Sequence, residues 1–345
     1  ITPLFEKGLN IIINGKNYKV DCSRLISSYD TEAGVNKAVE TGKSLSSLSK
    51  YKLIKHGLSN RYNIDYKFNE VYLGEFVCIV EKDINREPEN AKARVTPGEK
   101  VEVIDDIKGY RLDVEKLEEQ IKRSIESGVL NEIVIEAPVI EMEASITAED
   151  LQTIDAKISS FSTDFSFSSA ARINNIELAT NAINGIILMD GEIFSFNEYV
   201  GERTRERGFQ AAPVLEDGNY KPGIGGGICL VSSTLYRAML DSGMEIVERK
   251  AHGRPPSYIG LGLDATVSWG NIDLKFKNNL GYPLLIEAYL KEKNIYINLY
   301  SNSKLKNRTY IIKNNVYQKI QPSTETIEDA NLPAGETVVV RKGSP

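Results

Sequence analysis

Hydrophobic positions change their period several times along this chain, and each change predicts an element. In LNIIINGKNYKVD (residues 9–21) two short apolar runs flank Asn14-Gly15, which predicts a hairpin closed by a two-residue turn. DTEAGVNKAVETGKS and LDVEKLEEQIKRSIESG carry apolar residues at helical spacing, with Gly42 and Gly128 as the expected stops. In the second, Leu117, Ile121 and Ile125 fall on one face. VLNEIVIEAPVI then reads as a strand, and REPENAKARVTPGEK (86–100) as an exposed loop.

The texture changes at Ile146. TAEDLQTIDAKISSF opens with a helix-capping signal, Thr147 three residues before Asp150, and RINNIELATNAING predicts a helix stopped by Gly185. In GIGGGICLVSSTLYRAMLDSG (223–243), Val231, Leu235 and Met239 recur every fourth residue, predicting a helix with a buried face and a stop at Gly243. DLKFKNNLGYPLLIEAYLKEKNIYINLYS alternates, with NNLGYP and KEKN as turns between strands. The tail is strand- and turn-rich and too short for a core of its own. These patterns predict an α+β protein in several domains: an α+β domain over 1–145, a mixed α+β domain over 146–302, and the start of a β module over 303–345. A chain of 345 residues is long for a single core, which agrees.

Composition mainly excludes. With 41% apolar and 26% charged residues the chain is an ordinary globular protein. A net charge of −6, without a Lys/Arg stripe, speaks against nucleic acid as a partner. No apolar run reaches the length of a spanning helix. The chain begins at Ile1 without a signal-like segment, so an export signal or membrane anchor is expected outside this sequence. Cys22, Cys78 and Cys229 are widely spaced and include no C-x-x-C, and His56 and His252 are the only histidines. That set disfavours a metal site, and nothing calls for a cofactor. A Cys22–Cys78 disulfide stays open.

Cys229 is the candidate that changes the picture. The GIGGG run before it lacks the Lys-Ser/Thr of a P-loop, and the dinucleotide pattern fails at Ile228. What remains is backbone freedom: Gly225, Gly226 and Gly227 can take positive φ and let a ligand approach their amides. At a helix N-terminus the dipole favours a thiolate, and amides around Gly226 and Gly227 can donate to a developing oxyanion. The alternative is a buried cysteine serving as a small hydrophobe. A thiol nucleophile wants a base within reach. His56 belongs to the other region, which leaves His252 in ERKAHGRPPSYIG. Asp264, in GLDATVSWG, is placed to orient the imidazole, though an aspartate before a strand is ordinarily a turn residue. Arg249 and Arg254 flank His252 and suit a substrate carboxylate, with Ser232 and Tyr258 as further substrate-binding candidates. Arg203 and Arg207, in GERTRERG, read as a solvated charged face.

Four motifs then carry a resemblance. FSFNEYVGERTRERGFQAAPV, GGGICLVSSTLYRAML, IVERKAHGRPPSYI and LDATVSWGNIDLKFKNN follow one another in the order and spacing of the VanW domain. The resemblance covers about Phe161 to Ala288. More loosely, residues 1–145 resemble a peptidoglycan-binding-type domain, and the tail resembles the start of a G5 module.

The family is named from vancomycin-resistance clusters. The resemblance implies an L,D-transpeptidase that makes 3–3 peptidoglycan cross-links through a cysteine acyl-enzyme on the outer face of a bacterial cell. Its partners would be a donor stem tetrapeptide and an acceptor diamino acid, with L,D-carboxypeptidase action when water replaces the acceptor. The motif cysteine is Cys229 and the motif histidine His252. The chain departs from the family pattern at Leu230, where glutamine is common, and at Asp190, where proline is usual. A cysteine endopeptidase of stem peptides and a non-catalytic wall-binding protein are the competing readings.

Overall fold

The Asn14-Gly15 hairpin forms. β1 (Leu9–Ile13) pairs antiparallel with β2 (Lys16–Val20), and Asn14 and Gly15 take φ of 48° and 80° to turn the chain. The structure is a computed structural model that describes residues 9–56, 65–126, 132–216, 219–313, 315, 318 and 323–340. It divides into two compact units, Ile1–Ala91 with Ile104–Ala148, and Lys92–Val103 with Glu149–Pro345.

In the first unit α1 (Cys22–Leu25), β3 (Ile26–Asp30), α2 (Thr31–Ser44), α3 (Ser47–His56), β4 (Asp65–Phe68) and α4 (Glu70–Ile84) follow. After the hairpin of β5 (Lys92–Thr96) and β6 (Lys100–Ile104) come β7 (Gly109–Leu112), α5 (Val114–Glu126), β8 (Glu132–Ile135) and β9 (Val139–Met142). β8 adds to β1 in parallel, placing Ile11 beside Ile133 and Ile13 beside Ile135. Leu117, Ile121 and Ile125 of α5 are buried on the face their spacing predicts, against Leu73, Val77 and Val80 of α4. α2 runs through Gly42 and ends where Leu45 turns extended, because no left-handed turn is built at the glycine. Gly128 lies outside the described residues. Cys78 is a free, exposed thiol, and the side chain of Cys22 lies outside the described residues.

The segment expected as an exposed loop, 86–100, is largely the β5–β6 hairpin, closed by Gly98 (φ 101°) and Glu99 (φ 62°). Its charged residues hide the pattern. Arg94 and Glu102 face each other across the strands at 2.8 Å, so the charges are cross-strand partners rather than loop polarity.

The second unit takes in the β5–β6 hairpin and resumes at one helical turn, α6 (Ala148–Leu151), followed by β10 (Ala156–Asp164). The capping signal at Thr147 therefore starts no long helix: Ala156, Ser159 and Thr163 turn inward from a strand bulged between Lys157 and Ser159. Next come α7 (Ala170–Ile183), β11 (Ile187–Leu188), β12 (Ile193–Ser195), α8 (Phe196–Val200), β13 (Ala211–Glu216), β14 (Asn219–Ile224) and α9 (Ile228–Ser242). β15 (Glu245–Glu248), β16 (Lys275–Lys277), β17 (Leu284–Lys291) and β18 (Asn294–Ser301) complete the unit.

The main sheet runs β10-β18-β17-β11, antiparallel throughout, with Glu292 and Lys293 at positive φ in the β17–β18 turn. α7 and α9 pack into the core formed with this sheet, where Ile176, Leu235, Met239, Ile286, Ile297 and Leu299 are fully buried. A smaller sheet, β12-β16-β15, stacks Phe194 on Phe276 at 4.6 Å. Asp190 accepts from the Gly281 amide at 2.8 Å, a turn contact that a proline there would lack. Among the described residues of 306–340 none is a strand, and no described helix is long and apolar enough to cross a membrane.

α8 is short and held by its cap. Ser195 Oγ accepts from the Glu198 amide at 3.1 Å and donates to Asp273 Oδ2 at 2.6 Å, while Asp273 Oδ1 accepts from the amides of Asn197 and Leu274. Ser195→Ala removes the cap and one partner of a buried carboxylate. It is expected to cost about 1–2 kcal/mol, read as a lower denaturant midpoint at unchanged m.

Candidate active site

The glycine run is tight because the protein packs on it. Gly227, the N-cap of α9, is left-handed at φ 110°, and Gly225 has φ 83°. A Cβ on Gly226 would lie 2.6 Å from the carbonyl oxygens of both Ala212 and Pro213. On Gly225 it would press on Arg203 Cγ at 3.1 Å, and on Gly227 on Arg172 Cγ at 2.7 Å. Two arginine stems and a β13 backbone thus take space that the sequence suggested for a ligand. Asn175 fastens the run by donating from Nδ2 to the carbonyls of Gln210 and Gly226. The Ile228 and Leu230 amides close short turns onto Gly225 and Gly227, whereas no acceptor meets the Cys229 amide among the described residues. Cys229 itself is half-buried at the first turn, its Sγ 3.7 Å from the Val267 carbonyl.

His252 and Asp264 come to this helix start from one long connection between β15 and β16. A single bridge, the Thr266 amide to the Lys250 carbonyl at 2.8 Å, draws its two arms together. Asp264 Oδ2 then meets both the backbone amide and Nδ1 of His252, each at 2.6 Å. With Nδ1 committed to Asp264, Nε2 is the nitrogen left for Cys229, the second hydrogen-bond partner of the imidazole. Burial disfavours the charged ring. The hydrogen bonds to Asp264 and Cys229, with the charge each carries, outweigh it and push His252 up to about 9. Burial also works against the Asp264 carboxylate, and the bonds from His252 overcome it, holding Asp264 below its ordinary value.

The first turns of α9 set the distance between these partners. Ser232 Oγ donates to the Ala265 carbonyl at 2.7 Å, and the Ala265 amide donates to Ser233 Oγ at 3.0 Å. Ser232 is thus fully buried and bound to the connection that carries Asp264. Arg249 points the same way: Nε donates to the Asp264 carbonyl at 2.7 Å, and Nη2 to Gly262 and to Asp264 Oδ1. Its ring partner is Tyr236, 5.1 Å away. Tyr258 packs on the core and bonds Ser233, with burial and the nearby Cys229 charge pushing its phenol up. Arg254 is exposed, with no acidic partner among the described residues. Ser233 and Arg203 are neighbours of the site that sequence reasoning passed over. Ser233 follows Ser232 at a helix start, where a serine pair was a usable signal.

Leu230 is 1% exposed and belongs to the core. In this chain the position after the cysteine points away from the thiol's open side, so the departure from glutamine removes no group there. Leu230→Gln buries an amide in apolar surroundings and is expected to cost about 1–3 kcal/mol in chemical denaturation, with Cys229 alkylation unchanged.

Comparison with known proteins finds three family models along the chain. Residues 171–300 match the family model of VanW-like proteins, residues 18–134 that of a peptidoglycan binding domain, and residues 312–345 that of the G5 domain. The chain is 39% identical over 175 residues to the uncharacterized protein YoaR of Bacillus subtilis, across 50% of this chain and 58% of YoaR. It is 28% identical over 166 residues to the vancomycin B-type resistance protein VanW of Enterococcus faecalis, across 47% of this chain and 60% of that protein. The matches thus span less than two thirds of either relative. No solved structure matches the chain. Residues 171–300 are thus similar to VanW-like proteins, between regions similar to a peptidoglycan binding domain and to a G5 domain, a set of matches that points to the cell wall.

Proposed function

We propose that this chain is a cysteine L,D-transpeptidase that forms 3–3 cross-links between peptidoglycan stem peptides. One observation carries the reading: a half-buried thiol at a helix start, close enough to act on a histidine whose Nδ1 is bound to a buried aspartate. At neutral pH this pairing holds His252 as imidazolium beside the Cys229 sulfur.

The Cys229 thiolate attacks the carbonyl carbon of the third residue of a donor tetrapeptide. The carbonyl oxygen takes up the negative charge and accepts from the amides of Gly227 and Cys229. His252 gives its proton to the nitrogen of the leaving D-Ala, the amide bond breaks, and a thioester remains. The side-chain amine of an acceptor diamino acid then attacks the thioester. Neutral His252 takes the amine's proton, the carbon–sulfur bond breaks, and the thiolate–imidazolium pair is restored. Water in place of the amine releases a shortened peptide. Asp264 keeps the imidazole oriented, while Arg249, Ser232 and Ser233 hold Asp264 and Ala265 in place. We assign substrate contacts to Arg254, which is exposed, and to Tyr258. Such a reaction places the protein in the cell wall or anchored on the outer face of a bacterial cell.

The test incubates the full chain, and its Cys229→Ala variant, with purified disaccharide-tetrapeptides and reads products by mass spectrometry. The expected product is a dimer lighter than two monomers by one D-Ala, formed by the wild type alone. Shortened monomers without dimers would make the protein a hydrolase. No product beside an active control enzyme would leave a wall-binding module.

A further inference from the structure

GERTRERG reads as a solvated charged face, and for two of its three arginines it is one. Arg205 and Arg207 are exposed, and Arg207 Nη1 donates to the Glu202 carbonyl at 2.6 Å. Arg203 turns inward. Its Cβ and Cγ rest on Gly225, its guanidinium carbon lies 5.9 Å from the Phe196 ring, and Nη1 and Nη2 are sealed from solvent with no hydrogen-bond partner.

A guanidinium held dry and unpaired costs several kcal/mol. The nearest protein carboxylate does not relieve it. Asp273 bears on Arg203 through its charge, but its oxygens are spent on Ser195, Asn197 and Leu274. Burial brings Arg203 down to about 10, with the charges of Cys229 and Asp273 opposing the fall, so it stays a cation at neutral pH. The other group that bears on it is the Cys229 sulfur. A single sulfur does not match two parallel N–H donors, whereas a carboxylate does.

We infer that Arg203 is the carboxylate anchor of the donor subsite, its Nη1/Nη2 fork taking the chain-end carboxylate of a peptide that ends one residue beyond the bond Cys229 attacks. This rests on the proposed reaction for the identity of the donor. The ligand class, a peptide with a free terminal carboxylate close to the reacting carbonyl, rests on the orphaned fork beside the glycine run. Because the fork is sealed, it must open locally as the peptide binds. A donor one residue longer would put its carboxylate out of reach, so Arg203 selects tetrapeptides over pentapeptides.

The test measures binding without turnover, in the Cys229→Ala full chain, by calorimetry with three synthetic peptides: the tetrapeptide acid, its C-terminal amide, and the pentapeptide acid. The acid is expected to bind about 10- to 100-fold tighter than the amide or the pentapeptide, the worth of a charge-assisted pair. Arg203→Gln should bring the three together, and Arg203→Lys should keep part of the preference by keeping the charge. A merely structural arginine would lower all three affinities alike. Equal binding of acid and amide to the Arg203 protein, or a preference that survives Arg203→Gln, overturns the anchor. So does an Arg203→Gln variant whose sole change is slower Cys229 alkylation, since the guanidinium would then serve the thiolate. Acid preference without cross-linking would leave the anchor standing and the transpeptidase reading lost. Cross-linking with equal binding would do the reverse.

Discussion

Asp264→Asn lowers acyl-enzyme formation by about 1,000- to 10,000-fold at pH 7 while the fold stays intact, the loss expected when the third member of such a relay becomes neutral. Asp264 Oδ2 serves both the amide and Nδ1 of His252, and Arg249 grips the Asp264 backbone independently of its carboxylate. An asparagine can therefore keep the loop in place. It cannot stabilise an imidazolium. The pH profile separates this from simple misplacement. In the wild type the rate falls as pH rises through about 9, where His252 gives up the proton meant for the leaving amine. Without the Asp264 charge that limb moves down toward the ordinary histidine range. Stability follows the same sign. The folded value of His252 lies above its unfolded one, so its contribution is full below about 6.5 and is lost as pH climbs to about 9. Thermal midpoints across that window should decline more steeply in the wild type than in Asp264→Asn. Adding His252→Ala to Asp264→Asn should cost no more than His252→Ala alone, since the pair acts as one unit. A variant within tenfold of wild-type rate, or an alkaline limb that does not move, would remove Asp264 from the relay.

Sequence pattern reached the α+β architecture because its strongest periods, α5, α9 and the β17–β18 hairpin, are set by burial that also sets the structure. It failed where short-range signals compete with long-range pairing. β10 is a strand because β18 runs beside it from far along the chain, which outweighs the capping signal at Thr147. The β5–β6 hairpin was hidden by charges that pair only across strands. The candidate nucleophile and its helix start were legible, since glycine run, cysteine and helical period are local. His252 was legible by elimination among two histidines. The bond from His252 to Asp264, the seating of Ser232 in the core and the inward turn of Arg203 were not. Each depends on how a connection folds back on α9, and no local spacing encodes that.

Gly226→Ala tests what the glycine run is for. Were its purpose only to open the amides to a ligand, a methyl at this non-left-handed position would be mild. Here that methyl would sit 2.6 Å from two carbonyl oxygens of β13, backbone atoms that the β13–β14 pairing holds. The run must shift instead, and it carries the Gly227 and Cys229 amides and the surface on which Arg203 rests. The expected cost is about 1–3 kcal/mol of stability, from overpacking. Turnover should fall about 100-fold, since a displacement near 1 Å at the reacting groups is enough for that. Gly42→Ala is the internal control. It lies in the last turn of α2 with open space around its Cβ, so it should gain about 0.4–1 kcal/mol and leave turnover alone. The comparison needs two curves for each protein, denaturant unfolding and single-turnover acylation. If Gly226→Ala matches Gly42→Ala in both, the packing of β13 on the glycine run does not position the nucleophile. If stability falls and turnover holds, the run is structural and the oxyanion donors lie elsewhere.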